Sequence, residues 1–168
     1  LNGSNTYTGT TTVNGGVLST SGVLSSSARI TLNGSATNLA VLQGQGTITR
    51  QLGAGASRLD WPANSGFAAK GGTLTLTLTN NAGTAGGLLT WGTGGFMSTG
   101  VTPMVFGSST ANNQVELTNN FTFGDNVSSG FNRVIYVDKG VGGDTAKLSG
   151  VISIGGGTSA LNGFVKDG

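Results

Sequence analysis

Apolar residues in this chain come in short runs, and Gly, Asn or Ser closes nearly every run. The cleanest pattern is Thr73-Leu74-Thr75-Leu76-Thr77-Leu78-Thr79. Its period of two predicts a half-buried strand with Leu on one face and Thr on the other. The opening stretch, Asn2 to Leu18, predicts a smaller unit. A β-branched run, Thr10-Thr11-Thr12-Val13, leads into the turn Asn14-Gly15-Gly16, and Val17-Leu18 follows at once. Branching at Cβ suits the pleated surface, and Asn-Gly tolerates the positive φ of a tight corner. No window places apolar residues at i, i+3, i+4 and i+7 with helix formers between them.

The same phrase recurs along the chain. Gly22-Val23-Leu24 and Arg29-Ile30-Thr31-Leu32 come next, then Leu39-Ala40-Val41-Leu42 closed by Gly44 and Gly46, and Thr47-Ile48-Thr49-Arg50. An internal echo follows. Leu59-Asp60-Trp61 leads through a Gly-containing corner to Phe67, and Leu89-Thr90-Trp91 leads through another to Phe96. The last third supplies Met104-Val105-Phe106, Val115-Glu116-Leu117, Phe121-Thr122-Phe123, Arg133 to Val137, Ala146-Lys147-Leu148, Val151 to Ile154 and Leu161 to Val165. The count is roughly sixteen strands of about three to six residues, an all-β chain.

Two architectures suit such a chain. A β-sandwich uses fewer, longer strands joined by hairpins. A right-handed parallel β-helix winds short strands into coils, each stacked on the one before. The short strands, the Gly- and Asn-rich corners and the recurrence of phrases at roughly 20 to 30 residues favour the β-helix. About seven coils, each rising about 4.8 Å, give a rod on the order of 35 Å long. In such a rod each coil depends on its neighbours to bury its Val, Leu, Ile and Phe. The expected organisation is one repeat tile over residues 1–168, part of a longer array or of an assembly stacked end on end. The start at Leu1 and the end at Asp167-Gly168, in mid-phrase, fit a tile.

Composition narrows the function. The chain has 32 Gly, 2 Pro, no Cys and no His, and 36% of its residues are hydrophobic, too many for a disordered linker. Eight Lys and Arg face six Asp and Glu, scattered along the sequence. Nucleic-acid binding needs a clustered basic face, so no nucleic-acid partner is expected. No apolar run is long enough to span a bilayer as a helix. Without Cys or His there is neither a disulfide framework nor a Cys/His metal site.

Candidate chemistry is thin. The acids Asp60, Glu116, Asp125, Asp138, Asp144 and Asp167 all stand apart in sequence. Glycosidase chemistry needs two carboxylates at a set separation, which only coil stacking could assemble. Gly124-Asp125 and Gly142-Gly143-Asp144 are fragments of a calcium-binding phrase rather than a regular repeat. Gly155-Gly156-Gly157 has no Lys-Ser/Thr pair after it, so it is not a phosphate loop. Sequons at Asn2, Asn33, Asn120 and Asn126 are of a kind frequent by chance in this composition. The reading is no enzyme, no cofactor and no metal. Tyr7, Trp61, Trp91 and Tyr136 are the candidate exposed aromatic contacts, able to stack on sugars, although core packing is the simpler role for both Trp.

The opening phrase, LNGSNTYTGTTTVNGGVL (Leu1 to Leu18), resembles the autotransporter-associated β-strand repeat. Leu1, Gly3, Asn5, Tyr7, Gly9, Thr11, Val13, Gly16 and Leu18 match its usual phrase. WPANSGFAAKGG (Trp61 to Gly72), LTWGTGGF (Leu89 to Phe96) and KLSGVISI (Lys147 to Ile154) look like companions of that repeat in giant bacterial surface proteins. The resemblance implies a parallel β-helix exported to the cell surface, serving as stalk, adhesin or fibre. Its expected partners are further copies or tiles of itself, and surface glycans in the adhesin alternative.

Overall fold

The computed structural model describes residues 1–21, 24–97, 102–124, 133–155 and 163–168. Fourteen strands and no helix occur among them. In chain order they are β1 (Thr11–Val13), β2 (Gly16–Ser19), β3 (Ile30–Asn33), β4 (Ala40–Ile48), β5 (Leu59–Ala63), β6 (Ser65–Leu76), β7 (Leu89–Thr90), β8 (Met104–Gly107), β9 (Val115–Leu117), β10 (Phe121–Thr122), β11 (Arg133–Asp138), β12 (Ala146–Leu148), β13 (Ile152–Ser153) and β14 (Phe164–Asp167). Gly22, Val23, Asp125, the sequon at Asn126, Gly156, Gly157, Leu161 and Asn162 lie outside the described residues.

Every ladder between these strands is parallel. That excludes hairpin pairing among them, because a hairpin makes its strands antiparallel. The rows run β1–β3–β5, β7–β10–β13 and β2–β4–β6–β8–β11–β14, with a further row from the second half of β4 through the second half of β6 to β9 and β12. The pairing offset is not constant. It is 19 positions from Val13 to Leu32, 41 from Leu74 to Val115, and 31 from Val115 to Ala146.

Two strands are longer than the sequence pattern predicts. Gly44 and Gly46 do not close a strand, and β4 runs through both. Gly46 has a φ of +88°, and the register with β6 shifts between Gly44 and Gly46. The glycines therefore bend the strand onto a second row without ending it. β6 turns in the same way through Gly71, whose φ is +85°.

Inward positions of the rows form one apolar core. It includes Ile30, Leu32, Leu59, Trp61, Phe67, Leu74, Leu76, Leu89, Trp91, Phe96, Phe106, Leu117 and Phe121. The alternation expected over residues 73–79 holds, since Leu74, Leu76 and Leu78 are buried while Thr75, Thr77 and Thr79 are partly exposed. The Trp echo is not a column of stacked indoles. Trp61 bridges to Phe96 rather than to Trp91, and packs edge-on against Phe67 with ring centroids 4.8 Å apart. Trp91 lies against Phe123, centroids 6.0 Å apart. The Phe96 ring touches both, with centroids 5.6 Å from Trp61 and 6.1 Å from Trp91.

Two buried amide side chains are tied to backbone or to other side chains. The amide of buried Gln43 donates to Ser108 Oγ at 2.8 Å and to Thr110 Oγ1 at 3.1 Å. Asn119 is buried as well. Its Oδ1 accepts the Leu78 N–H at 2.7 Å, and its Nδ2 donates to the carbonyls of Leu78 and Gly87 at 2.8 and 3.0 Å. This side chain pairs with backbone as a neighbouring strand would.

Candidate functional site

The rows bring together cations and anions far apart in sequence. Arg29 Nη2 meets Asp60 Oδ2 at 2.7 Å. Lys147 Nζ meets Glu116 Oε1 at 2.9 Å, and Ser149 Oγ donates to the same carboxylate. The Ser149 hydroxyl, with Lys147 beside it, holds the Glu116 carboxyl below the usual carboxylate range. Asp144 accepts the Gly140 N–H. Among the described residues no three of His, Cys, Asp or Glu gather in a group that could hold a metal ion.

The aromatic expectation needs correction at two of its four positions. Trp61 is 0% exposed and Trp91 1%, so neither offers a face to a sugar. Both sit on inward positions of their rows, and burial of so large a ring outweighs exposure. The Trp61 indole N–H donates to Ser65 C=O at 2.8 Å. The guanidinium of Arg133, itself buried, lies 5.6 Å from the Trp91 ring centroid. Tyr7 is 37% exposed and its phenol oxygen sits 2.6 Å from Thr11 Oγ1. Tyr136 is partly exposed on β11. Four ladder steps separate β2, in the opening unit beside Tyr7, from β11. At the usual strand spacing that is on the order of 20 Å, so the two Tyr form no common platform.

What the structure does present is open strand edges. β1 and β2 begin their rows, and β12, β13 and β14 end theirs. Large apolar side chains gather there. Among the described residues the exposed ones are Leu1, Tyr7 and Val17 near the first strands, Val151, Ile154, Phe164 and Val165 at the last ones, and only Leu88 and Val141 between. Sequence reasoning missed this partition, because a run such as Val151 to Ile154 reads the same whether a later strand covers it or not.

A second opening lies beside β4. A cavity of about 470 Å³ is lined by Leu24, Ile30, Leu42, Ile48, Leu74 and Arg50, among others. Arg50 donates to the carbonyls of Ala28, Ser57 and Ser25. Burial pushes its guanidinium below its ordinary pKa, and the Tyr7 phenol acts weakly in the opposite sense.

Compared with family models, with curated proteins and with solved structures, the chain matches none.

Proposed function

We propose that the chain is a right-handed parallel β-helical tile of an extracellular or cell-surface bacterial fibre or stalk, extended by stacking coil on coil at its two ends. The observation that carries this reading is the partition of exposed apolar side chains to the first and last strands. An apolar side chain left on an open edge invites another edge to cover it. The parallel sense of every ladder supports head-to-tail growth, since a following unit continues each row in the same direction. Contacts that join unlike ends do not close, and they generate filaments. Right-handed winding follows from the general handedness of parallel crossovers. The resemblance of Leu1 to Leu18 to autotransporter-associated repeats agrees with surface export.

One residue opposes simple stacking. Lys166 stands in the same row as buried Ile135. A charge at a core position is a device that blunts edge-to-edge association. In a head-to-tail stack the first strand of the next copy brings Gly16 over this position, and a Cβ on Gly16 would meet nothing within 4 Å. That space lets the Lys stem lie flat and its ammonium reach water.

Electron microscopy of concentrated protein tests the proposal. Rods longer than one tile are expected, and Val165→Asp, which puts a charge on the last strand, shortens them. Dispersed single particles at every concentration, with the same profile for the variant, would refute the stacking.

A further inference from the structure

We propose that Asn14-Gly15, the corner that joins β1 to β2, is a self-modifying site: in water the Asn14 amide converts to a carboxylate through a cyclic imide, and the Asn33 amide promotes the step. This inference does not depend on end-to-end stacking. Val13 and Leu32 are register partners, so adjoining strands lead into Asn14-Gly15 and Asn33-Gly34 side by side. Asn33 Nδ2 donates to Asn14 Oδ1 at 3.2 Å. Asn14 and Asn33 are both exposed, so water reaches them.

The two corners share a sequence and differ in surroundings. Attack on a side-chain amide by the next backbone nitrogen needs a neighbour with no Cβ and with backbone freedom, and glycine supplies both. Gly15 keeps more of that freedom than Gly34. A Cβ on Gly34 would lie 1.9 Å from the Asn64 carbonyl oxygen, so backbone of another strand turn is packed against it. At Gly15 the atoms met belong to the Asn38 side chain, which can turn aside. Among the described residues no backbone carbonyl accepts the Gly15 N–H. The amides also differ in polarity. As attack proceeds, negative charge builds on the amide oxygen, and a donor already aimed there lowers the barrier. Asn14 Oδ1 has such a donor, whereas Asn33 enters the same bond through its nitrogen.

Water is the only co-reactant. The Gly15 nitrogen bonds to Asn14 Cγ and gives its proton to solvent. The Cγ–Nδ2 bond then breaks, and the nitrogen leaves as ammonia with a proton taken back from solvent. One water opens the imide ring. Attack at Cγ gives aspartate on an unchanged backbone. Attack at the main-chain carbonyl of residue 14 gives isoaspartate, which lengthens the corner by one backbone atom. The aspartate product fits its place, because the Asn33 amide then donates to a charged oxygen, a stronger bond than before. No acid precedes Asp60 in the unmodified chain, so the conversion places the first negative side chain in the opening unit.

The test incubates the full chain, folded and in urea, in mildly alkaline water enriched in heavy oxygen. Peptide mapping with fragmentation then locates each labelled carboxylate and separates aspartate from isoaspartate. In urea Asn14 and Asn33 are alike, each between an aliphatic residue and a glycine, and equal rates are expected. In the folded chain Asn14 is expected to convert well ahead of Asn33. Asn2 also precedes a glycine and its Oδ1 accepts the Ser21 hydroxyl at 2.6 Å, so it is expected to convert too, and the deciding comparison is Asn14 with Asn33. Asn33→Ala removes the donor and is expected to slow Asn14 by about fivefold, as suits the loss of one hydrogen bond to a developing charge. Asn33→Asp, close to the parent in shape, has no donor at that pH and slows it likewise; thermal midpoints verify that both variants fold. If Asn33 merely restrained Asn14, Asn33→Ala would convert faster. That result overturns the proposal. So does an Asn14 that stays intact while the chain in urea converts, or a folded chain in which Asn33 keeps pace with Asn14.

Discussion

Asn119 offers a clear test of how these rows are held together. Its side chain satisfies the N–H and C=O of Leu78 and the carbonyl of Gly87, all within 3.0 Å. Asn119→Ala does not affect the three groups equally. Leu78 C=O keeps the Gly86 N–H at 3.0 Å, and Gly87 is only partly buried, so water can reach its carbonyl. The Leu78 N–H is left inside with nothing, at a cost of roughly 1 to 3 kcal/mol, and the two lost bonds to carbonyls add about 0.5 to 1.5 kcal/mol each before water returns. A net loss of about 3 kcal/mol is expected, a large share of the ~5 to 15 kcal/mol that holds a typical domain. Urea unfolding followed by Trp fluorescence measures it, because Trp61 and Trp91 are both buried and report loss of the core. With a slope of about 2 kcal/mol per molar, the midpoint falls by roughly 1.5 M. Asn119→Asp adds a check on sign. A carboxylate there still accepts from Leu78 N–H but faces two carbonyl oxygens, so its folded pKa rises above the unfolded value. The penalty is then small below about pH 4 and grows as pH rises from there to the folded pKa. A loss under about 0.5 kcal/mol for Asn119→Ala, within the range of ordinary surface changes, would refute the reasoning. So would a pH-independent Asn119→Asp.

Other consequences are equally open to measurement. Glu116 has a depressed folded pKa, so its stabilising effect is present above the usual Glu range and lost as pH falls through the folded value; thermal midpoints from about pH 6 to 3 should converge on those of Glu116→Gln. Gly66→Ala should prevent correct folding, seen as loss of soluble β-type circular dichroism, because the added Cβ would lie 1.7 Å from the Val105 carbonyl oxygen of the adjoining strand. Trp61→Ala should cost about 3 to 5 kcal/mol in urea unfolding as a core truncation does, whereas a sugar-stacking Trp would leave stability unchanged. Lys166→Leu removes the charge from the row of Ile135 and should lower the concentration at which rods appear in sedimentation, relative to the parent.

The sequence pattern reaches local structure well and long-range register poorly. Ala146 to Leu148 and Val115 to Leu117 are bounded by polar residues and turn up as strands with the expected limits. Gly44, Gly46 and Gly71 mislead, since a glycine that ends a strand and one that bends it look alike in sequence. The contacts Arg29–Asp60 and Glu116–Lys147 both span 31 positions and could not be foreseen while the offset between rows varied from 19 to 41. The same variation hid that Trp61 neighbours Phe96. Burial of the two Trp follows from placement on inward rows, which composition does not reveal.

The central claim is that short strands lie parallel and in register upon their successors. The chain has no Cys, so an engineered pair reports distance without competition. Thr12 and Thr31 are register partners in adjoining strands, and neither is buried. Adjoining Cα atoms in such a ladder fall within disulfide reach. Mild oxidation of Thr12→Cys/Thr31→Cys, read by intact mass and by mobility without reductant, should give a nearly complete intramolecular bond, while Thr12→Cys/Val17→Cys, the pair that a hairpin would set side by side, stays reduced. A reduced first pair together with a closed second pair would mean that Thr11–Val13 and Gly16–Ser19 fold back as a hairpin, and would contradict the parallel stack.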